Sequence, residues 1–469
     1  MGTLASLPLL SVAAWGSQLS AQAVGLDAVR DLEFSKLEFT PENPEFHELD
    51  RGVQVLYARN TALPLVSVFA RFRGGPSNFP RSLLGPATAV PSLLRSTGTT
   101  TLSPDSVDQV IEFYAVQTAF GGGGQSAFTS INTLTRHLPE AMAIWTDLLR
   151  NPGFDPARVE VWRGQELEDV RRRSDTPGRL AISQFNRLMY GDHPVGWEME
   201  ASDLTPEAMT TDILRDTHRR VFCPENLTLG VTGDVRWDEM KPLLDQMLEG
   251  WPSCPAELPD PPKPDFTTEP GVYLIEKDLD QSTVIIGQPS DVRLEDTPEY
   301  FSSRIGHSIL GASGFSSRLV RRVRTEEGYA YSASSVWTTP MISQGIVGAM
   351  TRTKSESTIA AIRVILEVID GMRREEPSVV EVLDAIDRIA NGFVFNFQDP
   401  SQVVSRQMLY ASQGLPLDWL ERYLRGIQAV NPRGVQRVFS ANVDPTRMII
   451  LIVGDPDALD PGIEALGPV

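Results

Sequence analysis

Two short apolar runs recur at a fixed distance along this chain. One is Asn226–Asp234, NLTLGVTGD, and the other is Met448–Asp455, MIILIVGD. Each reads as a buried strand ending in Gly-Asp, and the two glycines, Gly233 and Gly454, lie 221 residues apart. A second pair, Gly52–Tyr57 (GVQVLY) and Gly271–Ile275 (GVYLI), repeats with Gly52 and Gly271 219 residues apart. Nearly equal offsets at both ends of a segment mean a duplicated domain of about 200 residues. The repeat divides the chain into residues 46–253 and 271–469. Between them, Cys254–Pro270 (CPAELPDPPKPDFTTEP) is rich in proline and acid and has no apolar period, so it reads as an extended, semi-rigid connector.

Within each half, strand runs alternate with helical patterns. Val66–Phe72 (VSVFARF) roughly alternates as a half-buried strand does. Ser103-Pro104-Asp105 and Thr205-Pro206-Glu207 both read as helix starts: hydroxyl cap, proline in the first turn, then an acid. Leu138–Arg150 and Ser357–Met372 carry helical apolar periods at similar places in the two halves. The fold class is α+β, with helices packed on one face of a mainly antiparallel sheet in each half.

Composition narrows the function. The formal net charge of −19 argues against a general nucleic-acid binder, which needs a basic face. Leu4–Ala14 is apolar and Ala21-Gln22-Ala23 has the small-x-small form of a cleavage site, so residues 1–23 read as a signal peptide, without the usual basic start. An extended segment, 24–45, follows it. Export, with the periplasm as destination, is the expectation. No later stretch is long and apolar enough to span a bilayer. The two cysteines, Cys223 and Cys254, have the context for a single bridge, but spacing alone leaves their pairing open.

The order of several motifs carries a resemblance. The first half holds LLRNPGF (Leu148–Phe154), SDTPGRLA (Ser174–Ala181), GDHPVGW (Gly191–Trp197) and PENLTLGVTGD (Pro224–Asp234). The second holds GASGFSSRL, RTEEGYAYS and the terminal LIVGDP. From about Glu48 to Pro456 the chain resembles the M16 metallopeptidase family, the pitrilysin and insulinase group that includes mitochondrial processing peptidase and the core subunits of the respiratory bc1 complex. The resemblance implies two homologous M16-type domains.

That family's chemistry rests on HxxEH on a helix: two histidines on one face bind zinc, and the glutamate acts as base on the metal-bound water. The motif ends shortly before a Gly-Thr, here Gly98-Thr99, which places it on Ala89, Val90, Pro91, Ser92 and Leu93. Neither histidine is present and Ser92 stands at the base position. Pro91 should kink this helix or delay its start. The distant third ligand would fall near Trp162, with Glu160 and Glu166 close by. His47, His137, His193, His218 and His307 offer no substitute pair, since no two lie within a helical turn. His193 reads as a loop residue, His307 as a partly buried helix residue, and the other three as surface or helix-end residues. The chain is therefore expected to hold no zinc of its own.

The second half carries what the resemblance would leave functional. Read as a helix at about 100° per residue, Ser317–Glu327 puts Leu319, Val320 and Val323 on one stripe. Arg318, Arg321 and Arg322 then point to solvent, with Arg324 beside the stripe. Gly328 stops the helix, and Tyr329 and Tyr331 start a strand with both rings on one face. In the M16 family an arginine and a tyrosine seven positions apart complete the active site from the C-terminal half, a spacing that Arg324 and Tyr331 match. A guanidinium and a phenol are both donors for a carbonyl oxygen that gains charge. The bland alternative pairs Arg324 with an acid and buries Tyr331.

In Ala119–Ser130 (AFGGGGQSAFTS), Gly121, Gly122, Gly123, Gly124, Gln125 and Ser126 are not a phosphate loop, because no Gly-Lys-Ser/Thr follows. The resemblance places them before the edge strand to which peptide adds; a flexible hairpin loop is the equal alternative. Taken together, the resemblance implies a non-catalytic subunit of an exported heteromeric zinc endopeptidase. Its partner would be an HxxEH-bearing homologue that holds the zinc, and the two would enclose a peptide substrate, which the acidic surface would help to hold if it is basic. A scaffold subunit, or a peptide-binding protein without proteolysis, is the alternative.

Overall fold

The computed structural model describes residues 43–467, apart from Thr267 and Gln398. The leader 1–23 and nearly all of the segment 24–45 lie outside the described residues. In the first half, β1 (Glu45–Glu48), β2 (Gln54–Arg59), β3 (Leu65–Arg73), β4 (Gln117–Gly123), β5 (Ser126–Leu134) and β6 (Leu227–Gly233) form a sheet in the order β1-β2-β6-β3-β5-β4. In the second, β7 (Gly271–Glu276), β8 (Gln281–Ser290), β9 (Ala330–Trp337), β10 (Gly345–Lys354) and β11 (Ile449–Gly454) follow the order β7-β11-β8-β10-β9. All neighbours are antiparallel except β2 with β6 and β7 with β11.

Those two parallel pairs account for the repeated Gly-Asp. Arg59 lies opposite Gly233, and Glu276 opposite Gly454. One residue on, the Asn60 N–H donates to the Gly233 carbonyl and the Lys277 N–H to the Gly454 carbonyl, each at 2.9 Å. The repeat thus marks where the first and last long strands of each half meet.

The helices of the first half are α1 (Leu84–Ser96), α2 (Pro104–Phe113), α3 (Leu138–Arg150), α4 (Pro156–Arg172), α5 (Pro177–Tyr190), α6 (Thr211–Val221) and α7 (Trp237–Leu248). Those of the second are α8 (Pro298–His307), α9 (Thr358–Arg374), α10 (Val379–Asn396), α11 (Pro400–Ser412), α12 (Trp419–Gln428) and α13 (Pro432–Asn442). Ser103 caps α2 by accepting from the Ser106 N–H. Thr205-Pro206 instead opens a single turn, in which the Ala208 N–H bonds the Thr205 carbonyl at 3.1 Å. Met209 then drops into the core, and α6 starts only after Thr210 caps it.

Each half has its own apolar core between sheet and helices, the first around Trp145, Phe72 and Leu148, the second around Trp419, Phe439 and Ile362. The opposite sheet faces are not open. Helix α5, from the first half, packs Phe185 and Met189 onto Ile285, Ile346 and Leu451 of the second sheet. Helix α11, from the second half, packs Val404 and Met408 onto Leu56 and Phe69 of the first. Glycine makes room on both sides. A Cβ on Gly287 would lie 3.0 Å from the Phe185 ring, and one on Gly230 would lie 2.8 Å from Val404. Through this reciprocal packing, Thr40–Val469 is one compact unit.

The connector has no helix or strand among its described residues, and it is fastened rather than loose. Cys254 is bonded to Cys223, with Cα atoms 5.2 Å apart. Leu258 is buried in the first core, and Arg73 pairs with Asp260 at 2.9 Å. His193 accepts from the Val195 N–H at Nδ1, which leaves Nε2–H to donate to the Pro262 carbonyl at 2.6 Å.

His218 is not a surface residue. It is 5 % exposed, stacks on Phe222 with ring centroids 5.2 Å apart, and bonds the Leu149 carbonyl at 2.8 Å. Burial pulls its imidazole down to about 4.

Two outcomes follow for stability. Phe185→Ala empties the seat on the second sheet and should lower the unfolding free energy by about 3 kcal/mol in urea; a loss under about 1 kcal/mol would mean the packing carries little of the joint. Between pH 6.5 and about 4 the unfolded His218 binds a proton that the folded one refuses. Stability should therefore fall with falling pH across that window, by up to about 3 kcal/mol from this residue. His218→Gln, measured from pH 7 to pH 4, should show a shallower fall than the parent.

Candidate functional site

Helix α1 carries the positions at which a zinc motif would lie. It runs unbroken from Leu84 to Ser96, with Pro91 inside it. The expected late start is absent, because the helix begins well before Pro91, whose missing N–H leaves the Ala87 carbonyl without its helical partner. Ala89, Val90, Pro91 and Leu93 are buried and Ser92 is exposed. These side chains offer no nitrogen or carboxylate to a metal. On α4, Trp162 is partly buried against the first core, and Glu160 is bonded by Arg163 at 2.8 Å. Among the described residues, one cluster has metal-type ligands: Cys223, Glu225 and Cys254, with ligand atoms within 4.8 Å of one another. The disulfide takes both sulfurs.

The glycine run lies in the edge strand itself, not before it. Gly121, Gly122 and Gly123 end β4, the last strand of the first sheet, while Gly124 (φ +56°) and Gln125 turn the chain into β5 at Ser126. Two of these glycines admit specific neighbours. The Phe128 ring lies over Gly121, where a Cβ would sit 2.7 Å from it, and the Pro91 ring comes within 2.8 Å of the place where Gly122 would carry one. Pro91 of the degenerate motif is thus seated directly against the edge strand.

The corresponding edge of the second sheet is β9, and it is here that Arg324 meets Tyr331. Residues Val320–Glu326 form a π-helical turn rather than an α-helix. Arg318 lies just before this turn, and its partner is remote in sequence, so the helical wheel misplaces it. Its guanidinium does not face solvent but grips Glu381 of α10 through two bonds, 2.7 and 2.9 Å. Bonding to Arg318 holds the Glu381 carboxyl down at about 2. Arg321 and Arg322 pair with Glu326, each at 3.6 Å, and Arg322 also with Glu327. Arg324 pairs with no carboxylate among the described residues. Its guanidinium carbon lies between two rings, 4.8 Å from the centroid of Phe315 and 5.1 Å from that of Tyr331.

Gly328 takes the left-handed conformation (φ +69°) and ends the turn. The strand that follows does not keep both tyrosines on one face. Thr353 lies opposite Ala330 and Arg352 opposite Ser332, so Tyr331 is an extra residue, a bulge. The bulge separates the two tyrosines. Tyr329 packs against the second core, while Tyr331 is 79 % exposed. The structure therefore brings Arg324 and Tyr331 together, and puts Gly121–Ser126 on the edge of the other sheet. Sequence reasoning missed Phe315, 72 % exposed, which completes the sandwich. A lone aromatic between glycine and serines (GFSS) was its only signal.

The Arg318–Glu381 pair anchors the segment that carries Arg324. Both side chains are mostly buried, so Glu381→Gln should destabilise the fold by about 3 kcal/mol at pH 7. Because the parent carboxylate protonates as pH falls from 4.5 towards 2, the difference between the two proteins should shrink over that range. Equal urea midpoints at pH 7 would refute this anchoring.

Comparison with known proteins agrees with this architecture. Residues 208–389 match the family model described as the peptidase M16 inactive domain. A curated relative, the non-peptidase homolog YmxG of Helicobacter pylori, is 23 % identical over 408 residues, covering 86 % of this chain and 92 % of that protein. An uncharacterised zinc protease of Streptomyces coelicolor is 25 % identical, covering 68 % of this chain and 71 % of its own. Among solved structures, a peptidase M16 inactive domain from Pseudomonas fluorescens superposes with a TM-score of 0.78 at 21 % identity, over 88 % of this chain and 98 % of that one. The periplasmic protease PqqL of Escherichia coli gives 0.78 at 14 % identity, over 95 % of this chain and 49 % of that one. By its motifs, its two-sheet fold and these matches, the chain is similar to the M16 peptidase family along most of its length, and it lacks the HxxEH zinc motif.

Proposed function

We propose that this chain is the non-catalytic subunit of an exported, heteromeric M16 zinc endopeptidase. Its partner is a homologue bearing HxxEH, and the substrate is a peptide enclosed between the two. When zinc is bound in the partner, it supplies an activated water. This chain supplies Arg324 and Tyr331, which donate hydrogen bonds to the scissile carbonyl oxygen as negative charge builds on it. One observation carries the reading: Arg324 is the arginine of its run that no carboxylate neutralises among the described residues, and it lies over an exposed tyrosine. Both halves of the bland alternative fail at this point. The Cys223–Cys254 bridge fits an oxidising compartment and so supports export. A scaffold or peptide-binding role without proteolysis is the second reading, favoured by the buried, ligand-free face of α1.

The test is co-expression with an HxxEH homologue from the same genome, with Arg324→Ala or Tyr331→Phe introduced. Each change should lower peptide cleavage by about a hundredfold or more, the size of a lost oxyanion donor, at unchanged assembly. Full activity in both variants would sink the shared site.

A further inference from the structure

A second site lies on the first sheet, on the face that α11 covers. Side chains alternate along β3 and β5: Val68, Ala70 and Phe72 point into the core, whereas Phe69 and Arg71 point to the opposite face, as does Phe128. Where α10 gives way to α11, a cavity of about 600 Å³ opens between this face and the helices. Phe69, Phe128 and Phe397 supply apolar walls, and Gln402 an amide. Among the described residues, no aspartate or glutamate lines it, although the chain has 61 acidic residues against 42 basic ones.

Two arginines line the cavity. Arg406 stands exposed at the rim on α11, without an ion pair among the described residues. Arg71 is half-buried, and its only hydrogen bond among the described residues goes to the neutral Ser126 Oγ at 2.8 Å. A guanidinium has five N–H donors, so most of its capacity is unspent. Burial has already pulled its pKa down. A positive group drawn out of water with no counter-ion is a burden on the fold, and a bound anion relieves it.

We propose that this cavity binds the C-terminal carboxylate of a peptide whose last residue is apolar. Arg71 takes the carboxylate through its free N–H groups, the three phenylalanines take the terminal side chain, and Gln402 serves a backbone amide. The volume falls in the range of small-ligand pockets, about 300–1,000 Å³. A simple fatty acid would use the arginine and the rings but has no backbone amides for the polar side of the lining, Asn396, Gln402 and Ser405. The site needs this chain alone and stands whether or not a zinc-bearing partner exists.

The experiment titrates the full chain with acetyl-Ala-Ala-Phe bearing a free carboxylate, with the same peptide ending in carboxamide, and with dodecanoate. The free acid should bind, and the amide should bind about ten- to a hundredfold more weakly, the ratio of a charge-assisted hydrogen bond. Arg71→Met should lose the preference for the acid while its melting temperature stays level or rises, because a half-buried charge without a counter-ion has been removed. Equal binding of acid and amide, no binding of either, or an unchanged preference in Arg71→Met would overturn the proposal. A clearly lower melting temperature in that variant would make Arg71 a structural residue and overturn it too. Tighter binding of dodecanoate than of the peptide would overturn the peptide as the ligand class.

Discussion

The reciprocal packing of α5 on the second sheet and α11 on the first is the constraint on which the rest depends. A sheet of this kind has two faces, and its own helices cover only one. The uncovered face of each half would expose a row of apolar side chains, Ile285, Ile346 and Leu451 on one sheet and Leu56 with Phe69 on the other. Burying such a row is worth roughly 25 cal/mol for each square ångström removed from water. The duplicated halves solve the problem by covering each other, and Gly230 and Gly287 let the covering helices come close. The connector then has little freedom, because a disulfide, an ion pair and a histidine hydrogen bond hold it along its length.

With one face of each sheet used for its core and much of the other for this packing, the edges too are open to recognition. The strands β4 and β9 end their sheets at corresponding positions, and the chain has treated the two differently. On β4 the glycines receive Phe128 and Pro91, so the edge is packed from behind by the helix that elsewhere in the family carries zinc. On β9 a π-helical turn, a left-handed glycine and a bulge together expose Tyr331 beneath Arg324. Irregular backbone of this kind clusters at functional sites, and here it falls on the two residues that the family resemblance singled out. The motif positions of the first half hold no metal-type ligand, whereas the second half brings Arg324 and Tyr331 together.

Much of the fold could be read from apolar spacing. The Gly-Asp repeats located the paired strands, and the pattern of Leu138–Arg150 coincides with α3. These features are local, or repeat locally, and burial of apolar side chains is what such patterns report. The misreadings share a cause. Arg318 faces an acid 63 residues later, and a helical wheel cannot see that partner. His218 does stand in the last turn of α6, but the sequence does not show that Leu149 and Phe222 bury it there. Thr205-Pro206 has the composition of a helix start, but the pull of Met209 into the core limits it to one turn. Arg71 drew no notice in the sequence, because an arginine in an alternating strand is ordinary until the described lining of its cavity is seen to hold no acid.

Under the proposed function, this chain completes an active site which its partner cannot complete alone. The direct measurement is the rate of peptide cleavage by a purified HxxEH-bearing homologue as this chain is added. The rate should rise from near zero and level off at one chain per partner. A rate that is the same at every ratio, including none of this chain, would contradict the claim.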